Sequence, residues 1–333
     1  MKKLAILLAV LLIAGMFVTF VSCGTHMAET GNENNDNTEQ ESPAQPEDDD
    51  KDSENNSALY AISYNLLAAT SADTVQNGLT LTDSARLKEQ MAFILAEKAD
   101  IVFLNEAAAF QDEQMPSLAA NMGYACIRVS DFADGPQQYP SYGNADLYSA
   151  RFCNYILYKN NRFRLTEQGA FAISDTPDLL HSVFSAMTDS DFRNLEGRPR
   201  MAVWGRLQDR TSGQSVIALC THLPWLENGS DAAHTNFNLA GQEILFLQAK
   251  ALKEKWPQDT FFIGGDLNAE KVQTACGNIF TTVNDGSLKS HEATAALDHI
   301  LYAGASLSSP ALLKGDLGWS DHQPVAAHFN LNA

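Results

Sequence analysis

The run Thr260-Phe261-Phe262-Ile263-Gly264-Gly265-Asp266-Leu267-Asn268 decides how this 333-residue chain is read. Its first four residues are apolar or β-branched and read as a short buried strand. Two glycines follow, where the backbone can turn closely. Asp266 and Asn268 come next, two residues apart, so in extended backbone both side chains face the same side. Taken alone, the segment is a glycine-bounded turn with an Asx cap on whatever begins at Ala269.

Outward from it, polar residues recur at the ends of other apolar, strand-like runs. Asn65 closes the run 59–64, Glu106 follows Ile101-Val102-Phe103-Leu104, and Thr221-His222 follows 215–219. Asp298 stands at the start of 297–302, and Ser320-Asp321-His322 precedes 325–329. Four acids, two histidines and two asparagines at strand ends make a hard-metal phosphate site.

Further strands are expected at 124–129, 154–158, 163–173 and 201–207, with 209–214 as a turn before 215–219. A helix capped by Asp83 or Ser84 should turn Leu87, Met91, Ile94 and the stem of Lys98 inward. A longer helix, ending near Trp256-Pro257, carries Phe237, Ala240, Ile244, Leu247 and Ala251 as its expected inward stripe. Many strands with few helices predict two packed sheets with helices outside, not a doubly wound parallel sheet. The long polar loop 174–199 is expected to border the site.

The N-terminal segment stands apart. Lys2 and Lys3 precede an uncharged stretch, 4–22, and Cys23 follows Val21-Ser22. This describes an export signal over residues 1–22, resembling the bacterial lipoprotein type in which the first mature cysteine is lipidated. An uncleaved transmembrane anchor is the alternative. Residues 23–57 then read as a disordered acidic tether, since they lack the apolar side chains a core requires. Within 29–57, eleven acids face one base, so the net charge of −19 is partly the tether's. The remaining domain, 58–333, carries 30 acids against 19 bases. That balance argues against a protein that grips nucleic-acid backbone by charge. Cys126, Cys153, Cys220 and Cys276 show no metal or redox spacing. Buried thiols are expected, although an exported location permits a disulfide.

Six segments together carry a resemblance. Ile62-Ser63-Tyr64-Asn65, Phe103-Leu104-Asn105-Glu106, Thr221-His222-Leu223, Gly265-Asp266-Leu267-Asn268, Leu297-Asp298-His299-Ile300 and Ser320-Asp321-His322-Gln323-Pro324-Val325 resemble the endonuclease/exonuclease/phosphatase superfamily. They do so in that superfamily's order, from about residue 59 onward. The resemblance implies a deoxyribonuclease-like α/β fold, a two-layer β-sandwich flanked by helices, over 58–333. It implies Glu106 as the principal Mg²⁺ ligand, with Mn²⁺ as a substitute, and Asn65 on that metal or its hydration shell. Asp321 becomes a second ligand or a water-holding base. Asp266 would orient and deprotonate the attacking water, and Asn268 would bind that water or a phosphate oxygen. His222 and His322 would donate to non-bridging oxygens, with Asp298 fixing the tautomer of His322. Where some relatives carry a glutamate, this chain has Arg151 and Asn154, which are expected to bind phosphate. Trp225 is either a pocket wall or an exposed loop aromatic. Arg200 is expected to be structural, and His299 has no assigned role.

The expected function is an exported Mg²⁺-dependent phosphoesterase acting by in-line attack of water. A small phosphomonoester or sugar phosphate stands ahead of an extracellular nuclease or a sphingomyelinase-type phosphodiesterase. A catalytically inactive binding lipoprotein of the same fold is the alternative from another class. The expected partners are the phosphate-ester substrate and a membrane, reached through lipid on Cys23. A monomer without specific nucleic-acid recognition completes the expectation.

Overall fold

The computed structural model describes residues 57–67, 83–107, 109–132, 153–173, 200–223, 231–272, 279–313 and 319–331, all within the unit Ser53–Ala333. The expected signal peptide and the tether up to residue 56, the loop 174–199, Arg151, Trp225 and Cys276 lie outside the described residues. In chain order the elements are β1 (Ala58–Asn65), α1 (Asp83–Ala96), β2 (Ile101–Ala107), α2 (Ala109–Asn121), β3 (Tyr124–Arg128) and β4 (Cys153–Lys159). There follow β5 (Phe163–Ala172), β6 (Met201–Asp209), β7 (Ser215–Thr221), α3 (Asp231–Lys255) and β8 (Thr260–Asp266). The last four are β9 (Thr281–Thr282), β10 (Asp298–Ala303), β11 (Ala305–Leu312) and β12 (Val325–Leu331).

The strands form two six-stranded sheets, ordered β11-β12-β1-β2-β4-β3 and β5-β6-β7-β8-β10-β9. Each sheet has one parallel pair, β1 with β2 and β7 with β8, and its other pairs are antiparallel. A helix lies between the strands of each parallel pair, α1 in the first and α3 in the second. Strands covered on both faces need apolar side chains at every position, which is why 59–64 and 101–104 read as continuous runs. In β2, Ile101 and Phe103 face the second sheet, joining Ile156, Val203, Phe262 and Phe329 in a shared core. Val102 and Leu104 point the other way, onto Leu87, Met91 and Ile94 of α1. On the far side Leu245, Phe246, Ala249 and Leu252 of α3 cover Ile217, Leu219, Phe261 and Ile263. The two-sheet sandwich with outer helices is the fold class the strand count predicts.

Several local expectations are corrected. Lys98 lies past the end of α1, exposed and at φ 55°, so it covers nothing. The stripe on α3 is rotated. Leu247 is 47% exposed and Ala251 is exposed, whereas Asn238, Gln242, Leu245, Ala249 and Leu252 are buried. Two buried amides on the inner face disguised it as the polar one. Helix α2 and strand β11 were not expected. Pro116 inside α2 obscured a helical reading, and β11 is an edge strand carrying Pro310, the position where a sheet tolerates proline. Cys220 is a buried thiol as expected, but Cys126 is only half-buried.

Gly264 and Gly265 lie inside β8 rather than in a turn. Their small size serves close packing. A side chain at Gly264 would enter the Phe103 ring, and one at Gly265 would strike the carbonyl oxygen of Thr221. Gly265 also holds φ 146°, where L-residues are strained. Gly265→Ala is therefore expected to lower stability by about 2 kcal/mol or more. Urea unfolding checks this, and an unchanged midpoint would contradict the packing argument.

Candidate active site

The topology places the motifs on one rim. Strands β1, β2, β7 and β8 run in parallel pairs, and their C-terminal ends carry Asn65, Asn105-Glu106, Thr221-His222 and Asp266. Strand β10 runs antiparallel to β8, with Asp298 directly opposite Asp266, so its first residue meets the last of β8. Strand β12 is antiparallel to β1, with Val325 opposite Ser63, so the preceding Ser320-Asp321-His322 reaches the same end. Six motifs distant in sequence thus converge because strand direction puts each at that edge.

Buried amides set the orientations. Asn105 Oδ1 accepts from the Asp266 amide at 2.9 Å, while its Nδ2 donates to Asn154 Oδ1 at 2.8 Å and Thr221 O at 2.9 Å. Asn65 Nδ2 donates to Asp266 Oδ2 at 3.0 Å, and the Asn268 amide donates to Oδ1 at 2.8 Å. Both oxygens of Asp266 are therefore aimed. Ser320 Oγ donates to Asn65 O at 2.8 Å and accepts from the His322 amide at 3.0 Å. From α1, Arg86 donates to Leu67 O at 2.6 Å and Trp319 O at 3.2 Å, and Gln90 donates to Leu66 O at 2.8 Å and Trp319 O at 3.0 Å. These bonds clamp the segments bearing Asn65 and Ser320 together.

Around Asp266 runs an unbroken series of close approaches. Glu106 Oε1 lies 3.7 Å from His222 Nδ1, and His222 Nε2 lies 3.4 Å from Asp266 Oδ2. Asp266 Oδ2 is 3.8 Å from His322 Nε2, which is 3.8 Å from Asp321 Oδ1. Behind it, His322 Nδ1 meets Asp298 Oδ2 at 2.6 Å. Asn268 Nδ2 donates to Leu223 O at 2.8 Å and to His222 Nε2 at 2.9 Å. In the tautomer that accepts that bond, His222 carries its proton on Nδ1, facing Glu106, and has no Nε2 proton for the non-bridging oxygen that the resemblance implies. Glu106 and Asn268 sit at φ 57° and 48°, uncommon for residues with a Cβ. At Glu106 the β2–β4 register also skips between Leu104 and Ala107, and the irregularity re-aims the acid toward the rim.

Charge is unevenly shared. Burial would push the His322 imidazole down, but Asp298 first, then Asp266 and Asp321, hold it up at about 10. Burial raises the Asp266 carboxyl to about 7, with Asp298 and Glu106 adding to the rise and His322 opposing it. Asp321, despite burial that would raise it, is held below its ordinary range by His291 and His322.

A divalent cation suits this donor set. Candidate ligand atoms of Glu106, His222 and Asp266 lie within 4.8 Å of one another, as do those of His291, Asp321 and His322. The carboxylates are the donors left for a cation once His222 is bonded to Asn268 and His322 is held cationic. Asp321 Oδ1 is buried without a hydrogen-bond partner, an acceptor that a cation would satisfy. Hard dications of the magnesium type favour such carboxylate oxygens.

The structure also revises individual assignments. Asn154 is 3% exposed, with its Oδ1 taken by Asn105 and its Nδ2 bonded to Met201 O at 2.7 Å. It is part of the scaffold and does not bind phosphate. Asn65 is oriented by Asp266 through Nδ2 and by the Leu67 amide, which donates to its Oδ1 at 2.9 Å and leaves that oxygen a second lone pair for the metal side. His299 is fully buried, its pKa pushed down by that burial, and its Nε2 meets Ala269 O at 2.7 Å. Arg200 is buried at the start of β6. Asn105, Arg86, Gln90 and His291 were assigned no part from sequence. Of these, only Asn105 lay within a recognised motif.

The pKa directions imply a stability profile without metal. His322, held near 10 against an ordinary 6.5, contributes stability fully below pH 6.5 and loses it as pH rises toward 10. Asp298→Asn removes the chief cause, so it should flatten the decline in thermal midpoint across that window in EDTA. An unaltered alkaline slope would contradict the Asp298–His322 pairing.

Comparison with known proteins agrees with the geometry. The family description "Endonuclease/Exonuclease/phosphatase family" matches residues 62–322. No curated protein sequence matches the chain. An endonuclease/exonuclease/phosphatase from Bacteroides vulgatus has a similar fold, with TM-score 0.60 at 17% identity over 83% of this chain and 99% of its own. A Bacteroides thetaiotaomicron mannosyl-6-phosphatase gives 0.59 at 17%, over 81% and 99%. The human Nocturnin catalytic domain, solved with a bound sulfate anion, gives 0.57 at 16%, over 82% and 94%. With its motifs on one rim of a two-sheet sandwich and the family match spanning most of its length, the chain belongs to the endonuclease/exonuclease/phosphatase family of divalent-metal-dependent phosphoesterases.

Proposed function

We propose that this protein is an exported, Mg²⁺-dependent phosphoesterase whose preferred substrate is a small phosphomonoester or sugar phosphate. The observation that carries it is the unbroken series Glu106–His222–Asp266–His322–Asp321, in which every role the hydrolysis needs has a side chain. Glu106 and Asp321 would hold the cation, which when bound neutralises phosphate charge and polarises the P–O bond. The chain's own residues do the rest. Asp266, kept in place by Asn65 and the Asn268 amide, takes the proton of a water that attacks phosphorus. Once a dication offsets the burial that raises it, this carboxyl is ionised and able to accept that proton. His322 stays cationic against Asp298 and donates from Nε2 to a non-bridging oxygen, a bond that strengthens as charge builds. The ester oxygen departs opposite the water and takes its proton from solvent. His222, tied to Asn268 and facing Glu106, keeps the acid and the water-binding amide in register.

The acidic domain favours a small substrate over polymeric nucleic acid. The mannosyl-6-phosphatase among the similar folds supports the sugar-phosphate reading. An inactive binding protein would have no reason to keep both histidines and all four acids. Asp266→Asn should lower kcat by about 10²–10⁴ and His322→Ala by about 10²–10³, with circular dichroism unchanged. EDTA should silence turnover, and Mg²⁺ or Mn²⁺ should restore it. The panel is mannose 6-phosphate, p-nitrophenyl phosphate and its bis-ester, sphingomyelin and plasmid DNA. Preference for a diester would overturn the monoester reading, and a fully active His322→Ala enzyme would remove the mechanism.

Export rests on the leader, with residues 1–22 as signal, Cys23 as lipid acceptor and 23–57 as tether. Cys23→Ala should abolish metabolic labelling with palmitate and release the protein from membranes. Labelling that persists would refute the anchor.

A further inference from the structure

Next to the site stands a histidine that the family motifs do not contain. His291 occupies the first position of a tight turn in which Thr294 N donates to His291 O at 2.9 Å. The two central residues, Glu292 and Ala293, have φ 45° and 56°. Two successive positive φ angles make a type I′ turn, which normally selects asparagine and glycine. Neither is present, so the surroundings hold the turn against its local preference.

What holds it is the catalytic rim itself. Glu292 N donates to Asp321 O at 2.9 Å, Gln323 N donates to Ser290 O at 2.6 Å, and His291 bridges His322. On the other flank Ser290 Oγ accepts from the amides of Leu297 and Asp298 at 3.2 and 3.0 Å. The turn is thus laced to both segments that supply Asp298, Asp321 and His322. Its side chain points to the same place. His291 Nε2 lies 3.5 Å from Asp321 Oδ2, while the other oxygen, Oδ1, lies 3.8 Å from His322 Nε2. The two rings meet edge to face at 4.7 Å. Asp321 therefore has an imidazole on each side, with His291 the nearer and Oδ1 left without a hydrogen-bond donor. Since His322 is already fixed by Asp298, His291 is the partner that sets how the Asp321 carboxylate is turned.

We propose that His291 is a positioning residue of the active centre, holding Asp321 in the orientation that receives the divalent cation. The proposal rests on the reading of Asp321 as a metal-side carboxylate. It differs from a packing role, because a ring without N–H would satisfy packing alone.

The experiment is calorimetric titration of Mn²⁺ into the metal-depleted full-length chain, with kcat and KM measured separately on a phosphomonoester. His291→Phe keeps the ring and loses the donor, so Mn²⁺ affinity should fall by about 10–100-fold, with kcat falling more than KM rises. His291→Gln, whose amide N–H reaches to a similar distance, should restore most of both. If Asp321→Asn weakens Mn²⁺ binding while His291→Phe does not, the proposal is overturned and the site assignment survives. If Asp321→Asn leaves Mn²⁺ binding unchanged, the assignment of Asp321 falls and the proposal with it.

Discussion

One buried carboxamide joins the two halves of the molecule at the point where chemistry is placed. Asn105 belongs to the first sheet, yet all three of its short hydrogen bonds reach beyond its own strand, and two of them end on the parallel pair of the second sheet. It satisfies the amide of Asp266 and the carbonyl of Thr221, the residues flanking the point where β7 and β8 release their catalytic side chains. A buried network of this kind is stabilising only when every member is satisfied. Here it is, through Asn154 and on to Met201 O. The same spot forbids bulk, since Gly265 leaves no room for a Cβ beside Thr221 O and Asn105 Oδ1. Relative placement of the sheets is therefore fixed by polar geometry and by a missing side chain, while the shared apolar core supplies the driving force.

The helices take part in the same task. The buried face of α3 is not purely apolar, because Asn238 donates to Leu267 O at 2.8 Å and Gln242 supports it at 2.7 Å. That face thus holds the backbone just after Asp266. On the other side Arg86 and Gln90 of α1 hold the loops after Asn65 and before Ser320. Each helix spends buried polar groups on carbonyls that the rim would otherwise leave without donors, a cost that only placement of the site explains.

This division marks what the sequence made legible. The strands of both parallel pairs were readable because strands covered on both faces are apolar throughout, and the motif order then carried the site. The α3 stripe was misread because Asn238 and Gln242 look like solvent-facing residues unless their partners are known. Asn154 looked like a phosphate ligand because a strand-end amide reads as available, and only the geometry shows both of its ends engaged. His291 was invisible for a different reason. Its turn, with Glu292 and Ala293 at positive φ, carries none of the glycine or asparagine that announces such a conformation. Residues placed against local preference cannot be found by local preference.

Strain and charge imbalance point the same way. Glu106, Asn268, Glu292 and Ala293 all hold positive φ without being glycine, and all lie at or beside the rim. Four carboxylates, Glu106, Asp266, Asp298 and Asp321, converge there against three imidazoles, His222, His291 and His322. The protein alone resolves that excess by lifting His322 to about 10 and Asp266 to about 7. A dication beside Glu106 and Asp321 would relieve it more directly, returning Asp266 to its charged form and leaving Asp298 to fix His322 alone. The rim thus carries the charge excess that a cation would answer, giving carboxylates that repel one another a common partner.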